Sequence, residues 1–122
     1  MLISTLLSLL FLAPIPIKAQ VIVVPAPQVQ LNPALTRICG CESSGNPLLA
    51  PQQFKPDGTV FRGVINSHDI GMCQINEHWN GATATAHGWD IYTTEGNIKM
   101  ANWMYKNQGL APWGWSKSCW KK

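Results

Sequence analysis

Glu42 is the residue of this sequence best placed to transfer a proton. It lies on the apolar stripe of a predicted helix that begins after the capping pair Asn32-Pro33 and ends at Gly45. Burial disfavours a charged carboxylate and a helix C-terminus carries negative partial charge, so both effects raise the pKa of Glu42. A carboxylic acid that stays protonated near neutral pH can protonate the leaving oxygen of a glycosidic bond. The alternative is a partly exposed Glu held by a basic neighbour such as Arg37 or Lys99.

Four cysteines form the second set of residues with chemistry of their own: Cys39, Cys41, Cys73 and Cys119. In an exported chain they predict disulfides. A metal site is the alternative, but positions 39–41 read CxC instead of CxxC and no His lies at ligand spacing, so we expect neither a metal nor a cofactor. Side chains two residues apart on a helix point to nearly opposite sides, so Cys39 and Cys41 should not pair with each other.

The N-terminal segment predicts export. Residues 1–19 form an apolar stretch that ends in a small residue, Ala19, which is typical of a secretory signal peptide. Pro14 and Pro16 interrupt the stretch before it reaches the roughly 20 residues that a spanning helix needs. We therefore expect cleavage after Ala19, no stable membrane span after processing, and an exported protein.

Length and composition predict one folded domain. The 122 residues are 46% hydrophobic and only 12% charged, which is too apolar for a disordered chain. Residues 20–30, rich in Pro and Val, form an extended lead-in, and residues 31–122 form the domain. The net charge of +3 comes without a basic cluster, which argues against nucleic acid as a partner. Six Trp in so short a chain indicate aromatic rings that line a groove.

Turn and cap signals give the order of the remaining elements. Pro56-Asp57-Gly58 predicts a turn between extended stretches at 53–54 and 60–61, with 64–65 as a third stretch. Helices are predicted over 80–87 and from a Thr94 cap to Gly109. A helix, a small β region and further helices make the class α+β, predominantly helical.

Three segments together resemble a known family. They are CESSGNP at 41–47, SHDIGMCQIN at 67–76, and GNI at 96–98, at the start of a predicted helix. In this order they resemble the lytic transglycosylases of the lysozyme-like superfamily, over about 31–115. The tail, 109–119, is similar to the resuscitation-promoting factors, a secreted branch of that superfamily with a Cys directly before the catalytic Glu. The resemblance implies a lysozyme-like fold with a small β-hairpin region.

The resemblance also implies an activity. A family member of this kind is a cell-wall-associated enzyme, periplasmic or extracellular, that acts on the glycan strands of peptidoglycan, and we expect it to be a monomer. Glu42 would be the general acid, and then the base, at the β-1,4 bond between N-acetylmuramic acid and N-acetylglucosamine. The reaction is transglycosylation without water, and it leaves a 1,6-anhydro end.

Other residue roles follow from the same resemblance. The substrate-binding side chains would be Ser43, Gln74, Asn76, Asn97, Trp113 and Trp115. Ser43 would help hold the Glu42 carboxylate, and Asn97 would lie near the cleft floor. Two alternatives stay open: Asn76 caps the next helix, and Asn97 satisfies only backbone groups.

The cysteine pairing is also implied by the resemblance. The resuscitation-promoting factors indicate a Cys41–Cys119 disulfide, which leaves Cys39 to pair with Cys73. Many lytic transglycosylases carry a Tyr near the domain end that reaches the catalytic Glu. Here that stretch holds Trp113 and Trp115, with Tyr92 and Tyr105 as substitutes elsewhere in the chain.

Asp69 carries the main alternative function. Positions 67–71 also resemble the stretch of animal-type lysozymes that holds their second, ionised carboxylate, so Asp69 would serve a hydrolase of the same bond. A structural role in the turn before Gly71 is sufficient to account for Asp69, and we favour it. A non-catalytic peptidoglycan-binding module and a small disulfide-stapled toxin or signal are further alternatives. Neither explains Glu42 together with the motif at 71–76.

Overall fold

The computed structural model describes residues 12–122, so the predicted signal peptide lies mostly outside the described residues. Residues 12–32 form no helix or strand and are exposed as far as position 28. Val29 and Leu31 then pack against the core. The side chain of Asn102 holds the backbone on both sides of Leu31, accepting from the N–H of Asn32 and donating to the carbonyl of Gln30, each at 2.8 Å.

The first helix, α1, spans Pro33–Ser44 and carries Glu42 in its last turn. The Asn32 side chain accepts a backbone N–H of the first turn at 3.0 Å. Pro33 occupies the first turn, where a backbone N–H would have no partner within the helix, so the missing N–H of proline costs nothing. Gly45 ends α1 with a φ of 65°, a left-handed conformation that glycine adopts without a steric penalty. The predicted start and stop of this helix are confirmed.

The β region is a hairpin of two short strands. β1, Asp69–Ile70, pairs antiparallel with β2, Ile75–Asn76, and two single bridges join Phe54 to Val60 and Arg62 to Ile70. The predicted turn at 56–58 therefore joins two extended stretches.

Val64 and Ile65 do not form the predicted third stretch. Their side chains are 96% and 104% exposed in a loop, and β1 is the segment that pairs. Apolar side chains alone suggested a strand, but nothing in the described structure packs on them. The hairpin turns at Gly71, where φ is 75° and an added Cβ would lie 2.4 Å from the Asn97 amide nitrogen. Only glycine fits that position.

The sequence predicts both middle helices, but neither begins at the predicted residue. α2, Glu77–Ala86, begins ahead of position 80 because Asn76 caps it, accepting the N–H of Trp79 at 3.2 Å. α3, Thr94–Gln108, is capped by Thr93 and not by its neighbour, and the Thr93 hydroxyl accepts a first-turn N–H at 3.0 Å. Both caps satisfy N–H groups that the helix itself leaves free.

The tail folds back on α1. It consists of a 3-10 segment, Ala111–Ser116, and a short helix α4, Lys117–Trp120, and both pack against α1. Disulfides join Cys39 to Cys73 and Cys41 to Cys119, the pairing that the resemblance implied. They fasten α1 to the hairpin on one side and to the tail on the other. Each closes a long loop and is expected to contribute about 3 kcal/mol.

The described residues form four α-helices, one 3-10 segment and a two-stranded antiparallel sheet, which confirms the α+β, mainly helical class. The core lies between α1, the hairpin and α3, and its fully buried large side chains include Leu35, Ile38, Ile70, Ile75 and Met100. Within residues 12–122, no helix has both the length and the apolar character needed to cross a bilayer.

Candidate active site

Glu42 lies half-buried at the end of α1, between two buried neighbours. Burial raises the pKa of its carboxyl above the ordinary value for Glu, and a hydrogen bond from Ser116 partly opposes that rise. The negative charge of Asp69 raises the pKa of Glu42 further. The carboxyl therefore keeps its proton to a higher pH than a solvated Glu, as the position on the apolar stripe predicts.

The basic neighbours that could have neutralised Glu42 have other partners. The Arg37 guanidinium donates to the carbonyl of Lys122 at 3.2 Å, and Lys99 pairs with Glu95 on the surface of α3 at 2.5 Å. Neither affects the pKa of Glu42. The interpretation of Glu42 as one half of a surface ion pair is therefore wrong.

Ser116, in the tail, is the contact of Glu42 that the sequence did not reveal. Its hydroxyl donates to Oε1 of Glu42, and it accepts the indole N–H of Trp120 at 3.1 Å. The carbonyl of Trp113 lies 3.2 Å from the same hydroxyl. The Cys41–Cys119 disulfide brings this part of the tail beside α1. That pairing was the one available signal that tail residues would reach Glu42.

Ser43 does not hold the Glu42 carboxylate, so that prediction is wrong. Its hydroxyl is buried, donates to the carbonyl of Cys39 at 2.9 Å and accepts the N–H of Gln52 at 2.7 Å. Successive residues on a helix point in different directions, so Ser43 faces inward while Glu42 faces the tail. Ser43 instead fastens the loop after α1 to the helix.

Asp69 and Asn76 lie opposite each other on the hairpin. The Asn76 amide nitrogen donates to Oδ1 of Asp69 at 2.9 Å, while its oxygen caps α2. The alternative that Asn76 caps the next helix is therefore confirmed, and its contact with sugar stays a prediction. Asp69 is half-buried and held in one orientation by this amide.

Asn97 cannot contact a substrate because it is completely buried. Its amide nitrogen donates to the carbonyls of Ile70 and Ile91 at 2.9 and 2.8 Å, and its oxygen accepts the N–H of Cys73 at 3.2 Å. The prediction of a group near the cleft floor is wrong, and the alternative role of satisfying backbone groups is correct. The Gln53 side chain, which the sequence did not single out, likewise satisfies a buried backbone group by accepting the N–H of Met72 at 2.9 Å.

The two tail tryptophans that were predicted to bind substrate lie in opposite environments. Trp113 is 3% exposed, and its indole N–H donates to the carbonyl of Cys73 at 2.9 Å, so it is a core residue and not a sugar platform. Trp115 is fully exposed. Its ring is free to stack on a sugar, and that role stays a prediction.

Within residues 12–122, the hydrogen bonds of Gln74 and the two tyrosines do not involve Glu42, and the contact of Gln74 with sugar stays a prediction. Gln74 has a φ of 49°, and its side chain folds back to donate to the carbonyl of Gly71 at 3.0 Å. The Tyr92 hydroxyl donates to Glu77, and Tyr105 packs against the core. The suggestion that either tyrosine substitutes for the family's tail Tyr is not supported by these contacts.

An open groove of about 640 Å³ runs along α2, and its lining includes His68, the sequence neighbour of Asp69. Its walls include Trp89 and Tyr92, and Glu77 accepts from His68 and Tyr92 at its edge. These bonds hold the pKa of Glu77 below its usual range. The groove does not include Glu42. No three His, Cys, Asp or Glu among residues 12–122 are grouped so that they could hold a metal ion.

Comparison with known proteins finds no family model, no curated protein and no solved structure that matches this chain.

Proposed function

We propose that this protein is an exported lytic transglycosylase with a lysozyme-like fold, which cleaves the β-1,4 bond between N-acetylmuramic acid and N-acetylglucosamine in peptidoglycan. The observation that carries the proposal is the half-buried Glu42 with its raised pKa. Its carboxyl keeps a proton to a higher pH than a solvated Glu, as a general acid requires, and it lies within the CESSGNP segment that resembles the family.

The reaction needs one carboxyl group. Protonated Glu42 donates to the bridging oxygen, the bond from that oxygen to C1 of the muramoyl sugar breaks, and N-acetylglucosamine leaves as an alcohol. The C6 hydroxyl of the same muramoyl sugar then attacks C1, and its proton goes to the Glu42 carboxylate. Glu42 ends protonated, no water is consumed, and the product has a 1,6-anhydro end. Because the nucleophile belongs to the same sugar ring, its proximity assists the attack.

The groove along α2 supports a polymeric substrate. It is lined by the rings of Trp89 and Tyr92, side chains of the kind that contact sugars. His87 stacks on one face of Trp89 and the Arg62 guanidinium lies over the Tyr92 ring, so each ring has its other face for a sugar. In this proposal the groove accommodates sugars or stem peptides remote from the cleaved bond, while exposed Trp115 contacts the strand near the tail. The proposed location outside the cytoplasm agrees with two disulfides.

A lysozyme-type hydrolase using Asp69 is the second candidate function. The observation that favours it is that the negative charge of Asp69 raises the pKa of Glu42, so Asp69 lies close enough to act on the proposed acid. Against it stands the Asn76 amide, which donates to Asp69 and holds it as part of the hairpin. A purely sugar-binding module is a weaker candidate, because binding alone gives no role to a half-buried carboxyl with a raised pKa.

Asp69→Asn is expected to keep activity within a few-fold of the wild type. In the transglycosylase proposal, Asp69 shapes the hairpin, and an amide of the same size preserves that shape. If Asp69 were a nucleophile or an ion-pair stabiliser, the substitution would remove a charge facing the transition state and cost several kcal/mol. The measurement is the rate at which purified sacculi release soluble muropeptides.

The control for Asp69→Asn is Asp57→Asn, which changes a carboxylate in the exposed turn at 56–58 that accepts only from Thr59. Equal, near-wild-type rates for both variants support transglycosylation. Collapse of activity in Asp69→Asn alone favours the hydrolase, and no release by the wild type overturns both enzymatic candidates.

A further inference from the structure

The hydroxyl of Ser116 has three polar neighbours, and their arrangement gives it a role beyond a single hydrogen bond. A serine hydroxyl has one proton to donate and two lone pairs that accept. The Trp120 indole N–H occupies one lone pair at 3.1 Å. Oε1 of Glu42 and the carbonyl of Trp113 are the two remaining neighbours.

These neighbours suit both protonation states of Glu42. When Glu42 is ionised, Ser116 donates its proton to Oε1. When Oε1 carries the proton, Glu42 donates to the free lone pair of Ser116, and the Ser116 proton turns to the Trp113 carbonyl, 3.2 Å away. The Trp120 bond is kept in both arrangements.

We propose that Ser116 is a positioning residue for Glu42, whose hydroxyl turns between Glu42 and the Trp113 carbonyl as Glu42 loses and regains its proton. The use of the two states in catalysis rests on the proposed function, in which Glu42 is first an acid and then a base. The contact itself does not depend on that function.

The tail is built to keep Ser116 at this place. The disulfide joins Cys41, next to Glu42, to Cys119, three residues after Ser116. The Trp120 indole also lies 3.2 Å from the Trp113 carbonyl, so one ring holds both the hydroxyl and its second acceptor. Buried Trp113 anchors this carbonyl to the core.

The charges around Glu42 determine the direction in which loss of the Ser116 hydroxyl shifts the pKa of Glu42. Asp69, from the hairpin, is the charged group that acts on it, and it disfavours ionisation. The charged residues of the elements packed against α1 have no resolved effect on Glu42; they are Glu95, Lys99 and Lys106 of α3 and Lys117 of α4. Ser116 is thus the group that stabilises the carboxylate, and its removal should raise the pKa of Glu42.

The test compares Ser116→Ala, Ser116→Thr and the control Ser118→Ala, which alters an exposed serine of α4. The readouts are the pKa of the Glu42 carboxyl from carbon NMR titration and the pH profile of muropeptide release. Ser116→Ala should raise the pKa by about one to two units, because a hydrogen bond to a charged group is lost. The alkaline limb of the activity profile should move upward by the same amount, while Ser116→Thr and Ser118→Ala stay near the wild type.

An unchanged pKa in Ser116→Ala, or an equal shift in Ser116→Thr or Ser118→Ala, would overturn the proposal. The NMR titration needs no substrate, so it separates this inference from the function. A raised pKa in a protein that releases no muropeptides would support the role of Ser116 and refute the transglycosylase.

Discussion

Glu42→Gln is expected to lower muropeptide release at least about 100-fold, the usual effect of removing a general acid. The amide has nearly the shape of the carboxyl, so it can accept from Ser116 as Glu42 does. It cannot give a proton to the leaving oxygen or take one from the C6 hydroxyl. The measurement is the rate of release from purified sacculi, at equal protein concentration and at several pH values.

The control for Glu42→Gln is the stability of the fold. Because the folded-state pKa of Glu42 is raised, ionising it opposes folding: the penalty is absent below the pKa of an unfolded Glu and grows as the pH rises through the raised value. Glu42→Gln removes that penalty, so it should melt no lower than the wild type at neutral pH. Activity within a few-fold of the wild type in a folded variant would remove Glu42 from the mechanism.

Asn97→Ala is expected to destabilise the protein by about 3 kcal/mol, because it breaks three buried hydrogen bonds of one side chain. The substitution leaves the buried N–H of Cys73 without its partner, at about 1–3 kcal/mol, and removes one donor each from the carbonyls of Ile70 and Ile91. The Ile91 carbonyl keeps the Gln53 amide, which donates to it at 3.1 Å. The substitution also leaves a cavity next to Gly71, whose backbone lies against the Asn97 amide. Urea unfolding followed by tryptophan fluorescence measures the loss.

Asn102→Ala is the matched control, because Asn102 also lies on α3 but holds the lead-in at the surface. We expect it to cost about 1 kcal/mol, since water can replace its partners. Equal losses of the free energy of unfolding in the two variants would mean that burial does not increase the contribution of the Asn97 hydrogen bonds to stability.

The parts of the fold that depend on local chemistry were predictable. Asn32, Pro33 and Gly45 delimit α1 because capping and left-handed φ are properties of a few neighbouring residues. The position of Glu42 followed from helical periodicity. The starts of α2 and α3 were predicted less precisely. Asn76 and Thr93 each lie among several nearby residues that could also act as caps.

The contacts of the site were not predictable from the sequence because they join distant segments. Ser116 reaches Glu42 across 74 positions, and no local pattern distinguishes it from Ser118. Trp113 and Trp115 are two residues apart in the same segment, yet one is buried and the other exposed. Which ring faces inward depends on how the tail packs on α1, and that is a tertiary property.

Cleavage of the glycan strand by Glu42 without water fixes the masses of the products. Purified peptidoglycan is digested with the wild type and with Glu42→Gln, and the muropeptides are weighed. We expect the wild type to give products with 1,6-anhydro ends, one water lighter than reducing ends, and Glu42→Gln to give almost none. Products with reducing ends from the wild type would show a hydrolase, and no products at all would show that Glu42 does not cleave this bond.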